Sequence, residues 1–399
     1  MRDYAYRSKS AVNRPFPAVP PVFMRLGMPR EPSLQFIPVG RNAARPFGMD
    51  ARERACRLAT NAGLECFDAP KAGEPALLAS MSYAWDPAWL KAMRQRPGTM
   101  LTFGGEPVMA HVPADANSAA AAAGLEYGRV VDGYDLLPAE SAELSYAELR
   151  KRERPFVMRL DASDPEPVER AAYDAAYKGV TDLLTLYLWR KPGFYLTRWA
   201  ARGRVPPNFV TLVGAILCVL AFLLFWRGDY WWGVLSGFIF MVLDTVDGKL
   251  ARVTGASSKW GEVFDHGIDL VHPPFWYWAW EHGLAAYGRP LEPVFATMVL
   301  WAIIGGYVAQ RIIEGIFIKQ LGLEIHVWRR IDSKFRLITA RRNPNMVILV
   351  VSLLFRRPDI GLELVAWWTL ASLFFHAVRL AQASERRARG EPIVSWLET

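Results

Sequence analysis

Eighteen consecutive residues, Phe209–Trp226, carry no charged side chain. A bilayer's hydrocarbon core is about 30 Å thick and takes roughly 20 helical residues to cross, so this run commits part of the chain to lipid. Five further apolar stretches follow at about Tyr230–Val246, Asp265–Trp280, Pro293–Gln310, Ile338–Phe355 and Ile360–Val378. The expectation is a bundle of six transmembrane helices. Its weakest members are the third, which carries two Asp, and the fifth, whose apolar core is short. Residues 1–200 scatter charge, Pro and Gly as a soluble segment does.

The net charge of +8 follows the span ends. Arg311, Lys319, Arg329, Arg330, Lys334, Arg336, Arg341 and Arg342 crowd one connector, and Lys249, Arg252 and Lys259 another. The connectors near Gly228 and Gly283 are poor in Lys and Arg, although Arg356 and Arg357 weaken the contrast. The positive-inside rule then puts the basic connectors and both termini in the cytoplasm. No stretch reads as a signal peptide, so a bacterial inner membrane is the expected location. This distribution argues against nucleic acid as a partner. Trp226, Trp231, Trp232, Trp278 and Trp280 fall near span ends, as an interfacial belt does. Cys56, Cys66 and Cys218 lack metal-site spacing and argue against a disulfide framework.

Before the spans, Leu34–Val39 and Ala76–Tyr83 read as strands, and Asp50–Ala62 reads as a helix. Asp86 and Pro87 open a second helix, and Thr99–Phe103 with Pro107–Val112 form a hairpin around Gly104 and Gly105. Leu183–Trp189, followed by Arg190, Lys191, Phe194, Tyr195, Arg198 and Trp199, reads as an amphipathic helix in the membrane interface. The expected order is a flexible N-terminus (1–30), a small α/β soluble domain (31–146), a linker with the interfacial helix (147–204), the membrane domain (205–385) and a tail (386–399).

Four carboxylates stand where the second and third spans meet. Asp244 and Asp247 are three residues apart and Asp265 and Asp269 four apart, so each pair shares one helix face. Gly248 ends the apolar run and permits a break or a close backbone approach, with Lys249–Trp260 as a polar hairpin between the helices. An unpaired charge at the edge of hydrocarbon costs roughly 2.5–3.5 kcal/mol. Oxygen-only ligands suit about two Mg2+ or Mn2+ ions, and such a pair clamps phosphate oxygens. Arg252 is placed to bind phosphate. His266 and His272 lack companions at ligand spacing and are expected to pack or hydrogen-bond.

The string D-x2-D-G-x2-A-R-x8-G-x3-D-x3-D, running from Asp244 to Asp269, meets all eight fixed residues of the signature of the CDP-alcohol phosphotransferases, which the chain resembles over about residues 175–380. That resemblance implies transfer of a substituted phosphate from a CDP-linked donor (CDP-diacylglycerol or a CDP-polyol) to an alcohol, with release of CMP. It implies metal ligation by Asp244, Asp247 and Asp265, completed by Asp269, which would also act as general base. It implies a CDP pocket lined by Gly248, Ala251, Arg252 and Gly261, with a looser match at Asn208 and Thr211, and a homodimer in the bilayer. Lys334, Arg336, Arg341 and Arg342 are candidates for holding an anionic acceptor or donor phosphate. The preceding α/β segment is similar to the branch with an N-terminal inositol-phosphate cytidylyltransferase. Its loop after the first strand offers only Gly40 before Arg45, so a degenerate, non-catalytic domain is expected, with Asp86 its one candidate ligand. A divalent-cation transporter and a membrane-anchored interaction protein are the alternatives from other classes.

Overall fold

The structure, a computed structural model, describes residues 34–398 apart from 72, 143 and 147–150. The expected N-terminal segment 1–30 and the start of the linker at Ala147 lie outside the described residues.

The first half is a small α/β region. Its elements are β1 (Gln35–Val39), α1 (Ala51–Asn61), β2 (Glu65–Cys66), β3 (Ala76–Ser80), β4 (Tyr83–Trp85), α2 (Ala88–Arg94), β5 (Thr99–Phe103), β6 (Glu106–Val112), α3 (Ser118–Tyr127), β7 (Asp135–Pro138), β8 (Leu144–Tyr146), β9 (Lys151–Glu153) and β10 (Val157–Arg159). The main sheet has the order β2-β1-β3-β6-β5-β7, with β1 parallel to β2 and β3, and β6 antiparallel to β3 and β5. Alternation explains its two faces. Phe36, Leu77, Leu101 and Met109 pack toward α1 and α2, while Ile37, Leu78, Met100 and Ala110 pack toward α3. The stretch expected as one strand, Ala76–Tyr83, is two. The chain turns at Met81, whose carbonyl accepts from Asn42 Nδ2 (3.0 Å), and β4 leaves to pair with β10. Asp50 caps α1 by accepting from the Arg52 and Glu53 amides, and Asp86 Oδ1 accepts from Ala88 N at 2.9 Å. Contrary to the sequence expectation, Cys56 and Cys66 form a disulfide that joins α1 to β2, with Cα atoms 5.5 Å apart. The two lie ten residues apart on neighbouring elements, a proximity that spacing alone does not reveal. Cys218 is free and buried.

The second half is helical: α4 (Glu166–Ala175), α5 (Arg190–Arg202), α6 (Pro207–Trp226), α7 (Tyr230–Thr254), α8 (Lys259–Tyr287), α9 (Pro293–Leu321), α10 (Arg330–Arg336), α11 (Arg342–Leu354) and α12 (Pro358–Ala388). The amphipathic helix α5 begins at Arg190, and Leu184–Leu188 before it is a single wide turn. Tyr195 and Trp199 on α5 stay exposed while Phe194, Ala200 and Ala201 are buried. Among the described residues, three helices, α6, α9 and α12, are long and apolar enough to cross a bilayer, and the protein is an integral membrane protein. Helices α7 and α8 carry the motif's charges, and α11 has 13 residues, short of a span. Helix α6 packs on both α7 and α8, and α9 packs on α12. Trp276, Trp280, Phe225, Tyr230 and Phe240 fill the core between them.

Candidate functional site

The site forms where α7 and α8 come together beside the start of α11. Helix α7 does not break at Gly248, and the expected hairpin Lys249–Trp260 shrinks to residues 255–258. The reason is apolar: Val246, Leu250 and Val253 form a buried stripe at helical spacing that carries α7 on to Thr254. Gly255, at φ +67°, then closes the helix by donating its N–H to Ala251 O. Ser258 starts α8 by accepting from Gly261 N at 3.0 Å.

This geometry brings Asp244, Asp265 and Asp269 together, each offering a carboxylate oxygen within 4.8 Å of the others. Asp247 is turned aside and buried. Its Oδ2 accepts from Thr211 Oγ1 at 2.6 Å, and its Oδ1 accepts from Gly248 N at 2.5 Å. Thr211 on α6 thus fixes one motif carboxylate. Asn208, a turn earlier, lies against Gly261: a Cβ on Gly261 would sit 2.6 Å from Asn208 Oδ1. Gly248 is covered by Arg252, whose Nη2 would lie 3.1 Å from an added Cβ. Ala251 is half-buried on the same helix.

Arg342 is the central cation. Its Nη1 donates to Asp269 Oδ1 at 2.5 Å, its Nη2 donates to Asp244 Oδ2, and its guanidinium lies 5.0 Å from the Phe240 ring centroid. Phe240 stands one helical turn before Asp244, so its presence on that face was readable from spacing. The position of Arg342, about a hundred residues away in sequence, was not. Lys249, inside the motif, turns onto Tyr177, with Nζ 4.0 Å from the ring centroid. His272 bonds Ile268 O through Nδ1 (2.7 Å) and packs on Phe240 and Trp276, while His266 is mostly exposed, 3.9 Å from Asp265 Oδ2.

The other expected cations lie elsewhere. Arg341 turns away from its neighbour Arg342 and donates to Glu314 Oε1 and His326 Nε2. Lys334 is exposed and Arg336 buried, both on α10. Glu314, His326 and His376 form a second group with ligand atoms within 4.8 Å of one another. There Arg311 also donates to Glu314 Oε1, at 2.8 Å. Burial holds the His326 imidazole well below its ordinary pKa, against the opposing pull of Glu314.

A donor set made only of carboxylates suits a hard divalent cation. The meeting of Asp244, Asp265 and Asp269, with Asp247 on the next turn, therefore fits a divalent metal. Beside it runs an apolar groove of about 760 Å³ between α6 and α8. Cys218, Val219 and Phe222 line one wall, and Phe264, Ile268 and Phe275 the other, Phe264 and Ile268 being the residues that precede Asp265 and Asp269 in the chain.

Among known proteins, phosphatidylinositol phosphate synthase of Streptomyces avermitilis is 39% identical over 80 residues, which is 19% of this chain and 33% of that protein. Choline/ethanolaminephosphotransferase 1 of Arabidopsis thaliana is 30% identical over 129 residues, 26% of this chain and 33% of that protein. The chain thus spans about a third of the length of these curated relatives. A crystal structure of Mycobacterium tuberculosis phosphatidylinositol phosphate synthase with CDP-DAG bound is 18% identical, with a TM-score of 0.37, and the match covers 46% of this chain and 91% of that one. Residues 204–378 match the profile of the CDP-alcohol phosphatidyltransferase family. That stretch holds α6, α7 and α8 with all four aspartates and Arg342, and it constitutes a CDP-alcohol phosphatidyltransferase domain.

Proposed function

We propose that this protein transfers a substituted phosphate from a CDP-linked donor to an acceptor alcohol and releases CMP. The observation that carries the proposal is the convergence of Asp244, Asp265 and Asp269 from two helices, within a motif that meets its signature at every fixed position. Asp244, Asp247, Asp265 and Asp269 would hold two Mg2+ or Mn2+ ions. Bound there, such cations stabilise charge on phosphate oxygens during an in-line displacement.

The chain's own residues supply the remaining work. The acceptor oxygen bonds to the phosphorus distal to cytidine, the phosphoanhydride bond breaks, and CMP carries away the bridging oxygen and its electron pair. Asp269 is the general base that takes the hydroxyl proton. Asp269 is also the most exposed of the three converging carboxylates, which supports that role. Arg342 orients Asp244 and Asp269, and its planar fork suits a phosphate oxygen pair. Gly248, Ala251, Arg252, Gly261, Asn208 and Thr211 form the CDP pocket, where missing side chains let a nucleotide lie against backbone. Lys334, Arg336 and Arg341 remain candidates for an anionic acceptor.

Of the two donor classes, the groove between α6 and α8 favours CDP-diacylglycerol, because its apolar walls suit acyl chains and include Phe264 and Ile268, the chain neighbours of Asp265 and Asp269. The names of the relatives, which make phosphatidylinositol phosphate or use choline-type headgroups, agree with phospholipid synthesis. The reading includes six spanning helices, an interfacial α5, a homodimer, and a site and termini facing the bacterial cytoplasm. It also includes an α/β region that is nucleotidyltransferase-like but non-catalytic. Asp86, its candidate ligand, is buried and caps α2. The test is a CMP-release assay on purified protein with CDP-diacylglycerol or CDP-inositol, several alcohols and added Mg2+ or Mn2+, with products identified by mass spectrometry. No cation-dependent CMP from any pair would overturn the proposal, and CMP from CDP-inositol alone would overturn the donor choice.

A further inference from the structure

The α/β region grips the back of the helix whose front carries the carboxylates. At 3.6 residues per turn, Asp244, Asp247, Gly248 and Ala251 fall on one face of α7, and Val246, Leu250 and Val253 on the opposite one. That rear stripe lies in an apolar cluster with Ala172 of α4 and Ala176 just past its end, Ala200 and Ala201 of α5, and Phe47, a fully buried residue of the tight turn Pro46–Gly48 between β1 and α1. Phe47 stands at φ 57°, an uncommon conformation for a bulky side chain, and such a residue persists where its surroundings over-determine it. Here two features do so: the burial of the ring in the cluster shared with the α7 stripe, and the Phe47 N–H donated to Glu169 Oε1 at 2.7 Å.

Two more contacts fix α7 along its axis. Arg54 of α1 is buried and donates through Nε to Val253 O at 3.0 Å, which satisfies one of the carbonyls left open at the helix's C-terminal end. The α1 backbone abuts the turn that closes α7, since a Cβ on Gly255 would lie 3.0 Å from the Arg57 carbonyl carbon and 3.1 Å from Leu58 N. Glu169, fully buried, ties this junction to α5 through an ion pair, its Oε2 lying 2.6 Å from Arg198 Nε.

We propose that Phe47 and Arg54 are positioning residues for the carboxylate site. The ring sets the rotation of α7, and the guanidinium sets its axial position, so the α/β region maintains the geometry of Asp244 and Asp247 from behind. This rests on the reading of the aspartates as a cation-dependent transfer site.

The experiment uses the full chain in detergent with lipid. Mn2+ binding is followed by electron paramagnetic resonance, alongside cation-dependent CMP release from CDP-diacylglycerol and thermal unfolding. Variants are Phe47→Ala, Phe47→Leu, Arg54→Ala and Arg54→Lys, compared with Leu78→Ala, which opens the other face of the α/β sheet, toward α3 and away from α1. Phe47→Ala and Arg54→Ala are expected to weaken Mn2+ binding, and raise the cation concentration for half-maximal CMP release, about tenfold. Phe47→Leu and Arg54→Lys should recover most of that loss, and Leu78→Ala should lower the melting temperature with unchanged cation dependence. The positioning role is overturned if Phe47→Ala and Arg54→Ala keep wild-type Mn2+ affinity, or if Leu78→Ala shifts that affinity equally. If the wild-type chain neither binds Mn2+ nor releases CMP, the transfer reading itself fails, an outcome distinct from the first two.

Discussion

Two groups of side chains among the described residues gather their ligand atoms equally closely and differ in charge. Asp244, Asp265 and Asp269 converge within 4.8 Å, as do Glu314, His326 and His376. In the first group three carboxylates converge, and the guanidinium of Arg342 pairs with two of them, Asp244 and Asp269. The second opposes one carboxylate with two guanidinia, Arg311 and Arg341. A divalent cation entering the first relieves repulsion, whereas one entering the second would meet two positive charges at close range. Proximity of ligand atoms is therefore a weak criterion for a metal site, and local charge balance is the stronger one.

The largest effect that would test this contrast is at Asp269. Asp269→Asn is expected to cut CMP release by about 10²–10⁴-fold, the range for losing a general base, while donor binding measured by calorimetry largely survives. Asp265→Ala should lose Mn2+ binding and turnover together, so equal loss of donor binding in both variants would break the general-base assignment. Next in size is Glu314→Gln. Leaving two half-buried guanidinia without a full counter-charge should destabilise the chain by about 2–3 kcal/mol in thermal unfolding, with no change in cation dependence. A change in cation dependence would erase the difference between the groups. Gly261→Ala places a Cβ 2.6 Å from Asn208 Oδ1, and overpacking of this kind costs roughly 1–3 kcal/mol. The double variant with Asn208→Ala should recover part of the lost stability.

The smallest effect concerns a buried histidine with no charged group behind its shift. His111 of β6 donates from Nδ1 to Met93 O at 2.8 Å, and burial lowers its pKa below the ordinary 6.5. A base with a depressed folded-state pKa is protonated first in the unfolded chain, so stability is retained above about pH 6.5 and declines as pH falls from there toward the folded value. His111→Gln should flatten that decline in a melting-temperature series from pH 7.5 to 5. Persistence of the full slope would assign it to other groups.

The parts of the molecule readable from sequence are those set by local period. The spacing of Asp244, Asp247, Asp265 and Asp269 gave two helix faces, and the hairpin of β5 and β6 followed from Gly104 and Gly105 between apolar runs. Tertiary packing decided the rest. Nothing near Asp247 announces that Thr211 will hold it, and nothing near Arg341 and Arg342 announces that adjacent arginines will point into different clusters. The continuation of α7 past Gly248 goes with apolar partners for Val246, Leu250 and Val253 that come from distant parts of the chain, Phe47, Ala172 and Ala200 among them. The pairing of Cys56 with Cys66 likewise depends on how α1 lies on β2.

The groove between α6 and α8 has a kinetic consequence. It is bounded by two helices that turn apolar side chains outward, Val219 and Phe275 among them. For a donor whose tails fill it, the encounter is a search in two dimensions within the bilayer plane. Turnover would then follow the donor's mole fraction in the membrane rather than its bulk concentration, and diluting the donor with inert lipid would slow the enzyme even when the total amount present is unchanged.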